Sequence, residues 1–369
     1  VLPINLAKTK KIAVIGENAI KMMTVGGGSS SLKVKYETSP LDGIKARFGK
    51  NAEVIYARGY VGDVGGEYNG VKTGKDLSEK RSPAELTKEA IELAKKSDFV
   101  IFVGGLNKSD FQDSEGNDRK ELGLPYNQNE LISVLAKANK NFAVLMVSGN
   151  AVAMPWVKEV PSIVQAWYLG SESGNAIASI LAGDANPSGK LPFTFPVKLE
   201  DNAAHAVGEY PGNKEELALG KGKDQQNPIN ITYNESILVG YRWHDTKNIK
   251  PLFSFGHGLS YTTFEIGEAK ADKTNINENE TITFTIPVKN TGKKAGAEVV
   301  QLYVSDLKSS VLRPAKELKG FEKVYLNPGE SKNVTITIDK AALSYFDAEK
   351  HDWVAESGDF EALIGNSSD

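Results

Sequence analysis

Apolar positions follow two different patterns along this chain. Between residues 11 and 196, short uninterrupted apolar runs alternate with longer amphipathic stretches. Uninterrupted runs rich in β-branched residues are typical of strands that are buried on both faces of a parallel sheet. The runs are KIAVIG (11–16), EVIYARG (53–59), FVIFVGG (99–105), FAVLMVSG (142–149) and SIVQAWY (162–168). The first pattern therefore predicts a mainly parallel sheet.

The stretches between these runs place apolar residues three and four positions apart, as amphipathic helices do. Three of them have helix length: SPLDGIKARFG (39–49), SPAELTKEAIELAKKS (82–97) and NQNELISVLAKANK (127–140). The first two open with Ser followed by Pro, which is a frequent helix start. Strands that alternate with crossover helices predict an α/β sandwich, with helices on both faces of the sheet.

From residue 264 onward, apolar and polar residues alternate, and Gly, Pro and Asn turns separate the segments. This period is typical of half-exposed antiparallel strands, and it predicts a β-sandwich of the immunoglobulin or fibronectin type III kind. The segment before it has little periodicity but many aromatic residues, so we expect it to wrap over a neighbouring domain. The predicted domains are an α/β sandwich at 1–205, an irregular wrapping segment at 206–263 and a β-sandwich at 264–369.

Composition and charge exclude several functional classes. The net charge is −3, and the basic residues form no stripe, so we predict no nucleic-acid partner. The chain has no cysteine and only four scattered histidines, so we predict no metal site. We expect His244 and His257, which lie among aromatic residues, to act in packing or hydrogen bonding. No apolar run approaches the roughly 20 residues of a membrane span, so none is predicted.

The glycine-rich segment VGGGSSS (25–31) has three possible interpretations. It lacks the Lys-Ser/Thr of a phosphate-binding P-loop, so a nucleotide-dependent enzyme has weak support and we predict no cofactor. The segment can be a flexible linker. Alternatively, its glycines let the backbone approach a substrate, to which Ser29, Ser30 and Ser31 offer hydroxyl groups.

An acidic loop, 105–119, begins at the carboxyl end of the run FVIFVGG. Ligands of open α/β sheets bind at this edge, so we expect loops 25–31 and 105–119 to face one cleft there. Within EGNDR (115–119), Gly116 gives Glu115 an exposed backbone, and Arg119 can pair with Asp118 and stiffen the turn. Composition alone leaves open whether Glu115 is a catalytic acid or a solvated loop carboxylate.

The chain resembles the C-terminal portion of glycoside hydrolase family 3, which contains exo-acting β-glucosidases, β-xylosidases and related enzymes. The similar segments occur in the family's order and, with the fibronectin-like region, cover almost the whole chain. They are KIAVIGENA, GGGSSSLKVKYETSPLDGIK, VGGLN with EGNDRKELGLPYNQNELI, VSGNAVAMPWV, QAWYLGSESGNAIASILAGDANPSGKLPFTFP, YNESILVGYRWHDT and PLFSFGHGLSYTTFE. The family's usual plan is a (β/α)8 barrel, an α/β sandwich and a fibronectin type III-like domain, and this chain corresponds to the last two.

The resemblance implies part of a retaining β-glycosidase that releases a terminal sugar from β-linked oligosaccharides or glycosides, in the periplasm or outside the cell. It places the general acid/base on the Glu of the E-G-x-D-R segment, which is Glu115. The family's nucleophile is an Asp in a Ser-Asp-Trp type motif on the barrel, and this chain contains only Ser-Asp-Phe triplets, at 97–99 and 109–111. The implied partner is therefore a (β/α)8 barrel domain on the same or another chain.

The sequence leaves alternatives open for the substrate, for the role of the chain and for the identity of the acid. β-Glucosidase activity is the first expectation, and β-xylosidase or N-acetylhexosaminidase specificity is an alternative, because the barrel holds the terminal sugar. The chain can also be a non-catalytic carbohydrate-binding or scaffolding fragment. If Glu115 is not the acid, Asp110 and Asp113 on the same loop are the next candidates. Asp98, where a helix meets a strand, is assigned to a structural role.

Overall fold

The computed structural model describes most of the chain and divides it into two compact units, Val1–Ala185 and Asn186–Asp369. The three-part division predicted from the sequence, with limits at 205 and 263, stays a prediction about domain organisation. The described residues are 1–21, 32, 34–62, 67–68, 71–72, 77–109, 111–115, 118–208, 210, 212, 214–219 and 228–369.

The first unit alternates strands and helices. In chain order its described elements are β1 (Lys11–Ile15), α1 (Pro40–Phe48), β2 (Glu53–Ala57), β3 (Glu67–Tyr68), β4 (Val71–Lys72), α2 (Pro83–Lys95), β5 (Phe99–Gly105), α3 (Gln128–Ala138), β6 (Phe142–Val147), β7 (Ile163–Gln165) and α4 (Ser173–Ala182). The strands β3 and β4 pair with each other as a short antiparallel hairpin.

The main sheet of this unit is parallel, in the strand order β2-β1-β5-β6-β7. This confirms the predicted mainly parallel sheet, and all five predicted strands are present. After β1 the chain adds β2 on one side, and it then returns to add β5 on the other side of β1. The carboxyl ends of β1 and β5 therefore flank a topological switch point, where open α/β sheets bind their ligands.

Helices cover both faces of the sheet because successive side chains of a strand point to opposite faces. Val14 belongs to a buried cluster with apolar residues of α1 and α4. Ile15 points the other way: a Cβ atom placed on Gly59 would meet Leu131 of α3, Ile15 and Ala90 of α2 at 2.9, 3.0 and 3.8 Å. The predicted α/β sandwich is thus confirmed on both faces.

The predicted helix starts at Ser-Pro are also present. The hydroxyl of Ser39 accepts a hydrogen bond from the backbone N–H of Asp42 at the start of α1. Ser82 and Glu85 form a reciprocal capping box at the start of α2. Such caps satisfy backbone donors that the first helical turn leaves without partners.

The second unit contains short helices followed by antiparallel strands. In chain order its described α-helices and strands are α5 (Ala203–Ala206), α6 (Lys214–Ala218), α7 (Tyr241–Lys247), β8 (Phe264–Ile266), β9 (Lys270–Ala271), β10 (Ile282–Asn290), β11 (Gly296–Asp306), β12 (Glu317–Leu326), β13 (Ser331–Ile338), α8 (Lys340–Leu343), β14 (Tyr345–Asp347), β15 (Asp352–Val354) and β16 (Phe360–Gly365).

Two antiparallel sheets form the predicted β-sandwich. One has the order β13-β10-β8, with β9 also paired to β10, and the other has the order β12-β11-β16. Alternate residues of the long strands point inward and share one buried core, including Ile286 of β10, Leu302 of β11 and Ile336 of β13. The period-two pattern of the sequence is confirmed, because it marks which side of each strand meets the facing sheet.

The segment that precedes the sandwich packs against it. The side chain of Asn186 accepts a hydrogen bond from the backbone N–H of Tyr261 at 2.7 Å and donates one to the carbonyl of Ala295 at 2.9 Å. The ring of Tyr241 meets the ring of Tyr303 edge-on at 5.9 Å. These contacts attach the aromatic-rich segment to the sandwich within the second unit.

The two histidines of this segment make the packing and hydrogen-bonding contacts that were predicted. Nδ1 of the buried His244 lies 3.0 Å from the carbonyl oxygen of Ile249, and His257 stacks on Phe253 at 5.3 Å. Within the described residues, no three His, Cys, Asp or Glu side chains are grouped so as to hold a metal ion. Over the same residues, no helix combines the length and the hydrophobicity needed to cross a membrane.

Candidate functional site

Two glycines allow the chain to leave the sheet at the switch point. Gly16, after β1, and Gly105, at the end of β5, have φ angles of 124° and 128°. A Cβ atom on Gly16 would lie 2.0 Å from the carbonyl oxygen of Val103, and one on Gly105 would lie 2.1 Å from that of Val147. Both positions therefore require glycine, because the backbone conformation and the close neighbouring strand exclude a side chain.

The segments that follow β1 and β5 leave the sheet at the same edge. The side-chain amide of Asn18 donates a hydrogen bond of 3.0 Å to the carbonyl of Leu106, which joins the two segments. Residues 25–31 lie outside the described residues, so Ser29, Ser30 and Ser31 stay predictions as substrate-binding residues. The predicted cleft shared by loops 25–31 and 105–119 likewise stays a prediction.

Buried amide side chains hold the base of the loop that starts at Gly105. Gln128 accepts from the backbone N–H of Gly105 and donates to its carbonyl, both at 2.8 Å. The side-chain oxygen of Gln112 accepts from the backbone N–H of Asn107 at 3.0 Å, and its amide donates to the hydroxyl of Tyr126 at 2.5 Å. These bonds satisfy backbone groups that the sheet no longer pairs.

Asp113 connects this loop to the ends of the next two strands. Its Oδ2 accepts from the backbone N–H of Gly149, after β6, at 2.6 Å, and from the hydroxyl of Tyr168, after β7, at 2.7 Å. Its Oδ1 accepts from the side-chain amide of Asn150 at 3.2 Å. One carboxylate thus joins the segments that follow β5, β6 and β7.

The hydroxyl of Tyr168 stays protonated and serves as a hydrogen-bond donor in this cluster. Burial raises the pKa of its hydroxyl well above the usual value, and the negative charge of Asp113 raises it further. The hydroxyl therefore keeps its proton at neutral pH and donates a hydrogen bond to Asp113. The preceding residue, Trp167, has a φ angle of 53°, which is an outlier for a bulky side chain.

Arg119 anchors the far flank of the acidic segment. Its guanidinium donates to the backbone carbonyls of Ala151 and Leu122, both at 2.8 Å, and to that of Gly123 at 3.5 Å. Burial lowers the pKa of Arg119, and the charge of Asp113 partly opposes this effect. The pairing of Arg119 with the exposed Asp118 stays a prediction; the guanidinium supports the loop through carbonyl groups.

Glu115 lies between these two anchored positions, two residues after Asp113 and four residues before Arg119. Its side chain is exposed at the carboxyl edge of the sheet. An exposed carboxylate two residues from a fixed position can meet a substrate that approaches this edge from outside. Asp110, one of the alternative acids, lies outside the described residues.

A third carboxylate at this edge, Glu17, is held in ion pairs. It is buried at 1% exposure, where it pairs with Arg58 at 2.8 Å and Lys21 at 3.7 Å, and it also accepts from the backbone N–H of Gly62 at 2.7 Å. A buried carboxylate with two cations and a backbone donor is fixed in place, and its burial keeps it from a substrate that approaches from outside. Sequence patterns did not single out this residue.

Sequence patterns also missed the partners of Asp113, which are Gly149, Asn150 and Tyr168. One usable signal was present, because Gly149 and Tyr168 are the last residues of predicted strands and Asn150 directly follows one. The sequence could not say which strand ends are neighbours, since that depends on the strand order of the folded sheet.

Comparisons with known proteins agree on the same group of enzymes. Residues 1–261 match the glycosyl hydrolase family 3 C-terminal domain, and residues 298–368 match a fibronectin type III-like domain. A β-glucosidase of Bacteroides ovatus is 51% identical over 369 residues, which is 100% of this chain and 47% of the relative. The thermostable β-glucosidase B of Acetivibrio thermocellus is 42% identical over 368 residues, or 100% of this chain and 44% of the relative.

Solved structures of similar proteins give the same picture. The β-glucosidase from Kluyveromyces marxianus in complex with glucose superposes with a TM-score of 0.84 at 29% identity, covering 100% of this chain and 58% of that one. A Bifidobacterium adolescentis β-glucosidase superposes with a TM-score of 0.81 at 34% identity, covering 100% of this chain and 48% of that one. The chain thus spans less than two thirds of each of these relatives.

Proposed function

Because the chain belongs to glycoside hydrolase family 3, we propose that it supplies the general acid/base and one wall of the active site of a retaining, exo-acting β-glycosidase. The proposed substrate is a β-linked oligosaccharide or a simple β-glycoside. Glucose is the first choice for the terminal sugar, because the relatives compared above are named β-glucosidases. The nucleophile is proposed to lie on a (β/α)8 barrel domain, on the same or another chain.

The position of Glu115 is the observation that carries this proposal. Its exposed carboxyl group lies at the carboxyl edge of the sheet, on the loop that follows β5 beside the switch point. The residues Asp113 and Arg119 hold the two flanks of its segment. A general acid must reach outward to a substrate and keep a reproducible position, and an exposed group between two fixed anchors meets both requirements.

In the proposed reaction, Glu115 acts twice. First, a barrel carboxylate attacks the anomeric carbon while protonated Glu115 gives its proton to the departing glycosidic oxygen. Glu115, now a carboxylate, then takes a proton from the water that hydrolyses the glycosyl intermediate. Retaining glycosidases place the two carboxyl groups roughly 5–5.5 Å apart. The negative nucleophile favours the protonated acid, and forming the intermediate removes that charge.

The first prediction concerns Glu115→Gln in the chain assembled with a family 3 barrel, either fused or mixed. We expect kcat/KM for an unactivated β-linked disaccharide to fall by about 100-fold or more, because general acid catalysis contributes on the order of 10²–10⁴. A 2,4-dinitrophenyl glycoside should react within a few-fold of wild type in its first step, since its leaving group departs without a proton. Added azide should accelerate its turnover and yield the glycosyl azide.

Glu121→Gln is the matched control, because Glu121 is an exposed acid only six residues away. It should leave both substrates and the azide response unchanged. If Glu115→Gln hydrolyses the disaccharide within a few-fold of wild type, the acid/base is another residue, with Asp110 and Asp113 as the next candidates. If barrel and chain together hydrolyse no glycoside while each is folded, a non-catalytic binding or scaffolding role replaces the proposed enzyme.

A further inference from the structure

We propose that Asp113 is a positioning residue for Glu115, which it holds at the distance from the sheet edge that proton transfer requires. This inference rests on the proposed function of Glu115 as the acid/base. It adds a role for a second carboxylate of the loop, together with Tyr168, whose hydroxyl donates to Asp113 at 2.7 Å.

The contacts of Asp113 are those of a fixed anchor. Its carboxylate takes hydrogen bonds from Gly149, Asn150 and Tyr168, and its own backbone N–H donates to the carbonyl of Asn107 at 3.0 Å. Hydrogen bonds to a carboxylate are the stronger kind, because one partner carries a full charge. Main chain and side chain of Asp113 are therefore both fixed to the edge of the sheet.

The packing around this carboxylate leaves little freedom. A Cβ atom placed on Gly149 would lie 3.3 Å from Cε2 of Tyr168 and 3.6 Å from Oδ2 of Asp113. The backbone of Gly149 thus lies close to both the tyrosine ring and the carboxylate, and a side chain at this position would crowd the ring. Moving Asp113 requires the loss of bonds to two separate segments of the unit.

Because Glu115 is only two residues from Asp113, fixing Asp113 also limits where the backbone of Glu115 can lie. Two residues span at most roughly 7 Å, so the backbone of Glu115 can move only within that distance of Asp113. A displacement of about 1 Å at a reacting group can cost up to about 10²-fold in rate. Loss of the anchor should therefore impair the step that needs the acid, and it should spare steps that do not.

The same contacts argue against Asp113 as the acid itself. Three donors from the ends of β6 and β7 bind its two oxygens and hold the carboxylate against the edge of the sheet. Glu115 is exposed, whereas Asp113 is half-buried and turned toward Gly149 and Tyr168. A half-buried carboxylate that joins three segments suits positioning, and a solvent-exposed carboxylate can reach a substrate.

The test is Asp113→Asn in the barrel-containing enzyme, measured with the two substrates used for Glu115. We expect kcat/KM for the disaccharide to fall about 10- to 100-fold, while that for the dinitrophenyl glycoside stays within about 3-fold. Azide should yield no more glycosyl azide than with wild type, because the acid/base carboxylate is still present. Tyr168→Phe should give the same selective loss with a smaller amplitude, and it should add little to Asp113→Asn.

Asp98→Asn is the matched control. Oδ2 of Asp98 accepts from the backbone N–H groups of Lys10 and Lys11 at 2.7 and 2.9 Å, at the amino end of the sheet. It is thus an aspartate that joins separate segments far from the proposed site. The control should leave the ratio of the two kcat/KM values unchanged, even if it lowers stability.

A second measurement uses the 369-residue chain itself. In Asp113→Asn, peptides covering residues 105–115 and 147–151 should exchange backbone hydrogen faster, by about 10-fold, while exchange in β1 and α2 stays unchanged. If Asp113→Asn does not fold, Tyr168→Phe decides by the same two measurements.

The outcomes separate the two proposals. Equal losses on both substrates, or no loss on either, overturn the positioning role while Glu115→Gln still behaves as the acid variant. Azide rescue of Asp113→Asn like that of Glu115→Gln also overturns it, since Asp113 would then be the acid/base. If Glu115→Gln itself has no leaving-group dependence, the proposed function fails first.

Discussion

Burial decides the charge of His257, a residue of the second unit. The ring is half-buried against Phe253, and this burial lowers its pKa; the nearby Lys190 lowers it further and Asp369 opposes the shift. A folded-state pKa below the unfolded value of about 6.5 means that the unfolded chain binds the proton more readily. The stability contributed by neutral His257 is therefore present above this pH and is lost as the pH falls.

The second prediction follows from the direction of this pKa shift. The melting temperature of the wild-type chain should fall more between pH 7.5 and pH 5 than that of His257→Asn, because only the wild type has to protonate this ring. His351→Asn, which changes an exposed histidine, should keep the full wild-type loss. A wild-type loss no larger than that of His257→Asn would show that the ring does not affect stability in this range.

At the scale of elements, a glycine of α1 and a glycine of α4 bring these two helices into close contact. A Cβ atom on Gly43 of α1 would lie 2.1 Å from the backbone of Gly174, and one on Gly174 of α4 would lie 2.0 Å from the carbonyl oxygen of Ser39. The two helices therefore pack with their backbones in contact on one face of the sheet. Helix α4 was not among the helices predicted from the sequence.

The third prediction is that Gly43→Ala lowers the free energy of unfolding by about 1–3 kcal/mol, as overpacking typically does. On propensity alone, alanine should instead gain about 1 kcal/mol in a helix interior. The direction of the change therefore tests the helix contact, and urea denaturation of the chain measures it. Gly123→Ala is the control, since its added Cβ atom would lie 3.8 Å from Nδ2 of Asn129, an ordinary contact, and it should change stability little. A stabilised Gly43→Ala would disprove the close packing.

At the scale of the whole molecule, the second unit contains residues before the β-sandwich that pack against it. Lys190 pairs with the buried Glu298 of β11 at 2.6 Å, and a Cβ atom on Gly256 would lie 2.5 Å from the side-chain oxygen of Gln301. The ring of Tyr241 packs edge-on against the ring of Tyr303 of β11, with the ring centroids 5.9 Å apart. Lys190, Tyr241 and Gly256, which precede the sandwich in the chain, thus cover polar and aromatic groups of β11.

The fourth prediction compares two fragments, 186–369 and 264–369. The shorter one should melt roughly 10 °C lower or fail to fold, because each kcal/mol shifts the melting temperature of a small domain by roughly 4–8 °C, and a buried charge without its partner costs several kcal/mol. Fragment 186–369 with Lys190→Ala should melt at an intermediate temperature. Equal melting temperatures for the two fragments would mean that the preceding segment contributes nothing to the sandwich.

The fifth prediction concerns activity and the length of the chain, which spans 47% of its Bacteroides ovatus relative. Folded alone, the chain should hydrolyse an aryl β-glucoside no faster than buffer, because a retaining mechanism needs the nucleophile as well as the acid/base. Addition of a family 3 barrel should restore hydrolysis, and a barrel with its nucleophile replaced by Asn should not. Hydrolysis by the isolated chain would require both groups within these residues.

The sequence by itself determined the type of each main element and the candidate acid. Buried strands such as Phe99–Gly105 are apolar throughout, and half-exposed strands such as Ser331–Ile338 alternate, because burial of successive side chains is a local property of a strand. Glu115 was identified by its resemblance to a family segment, and its exposed position after β5 is compatible with that role.

Only the tertiary structure decided which groups meet at the edge of the sheet. Asp113 contacts Gly149 and Tyr168, which are 36 and 55 residues further along the chain. These contacts exist because β5, β6 and β7 are neighbours, and strand order results from packing of the whole unit rather than from any local pattern. Arg119 likewise binds backbone carbonyls, including that of Ala151, which lies 32 residues away. Carbonyl groups are present at every residue, so their positions become distinctive only when the chain has folded.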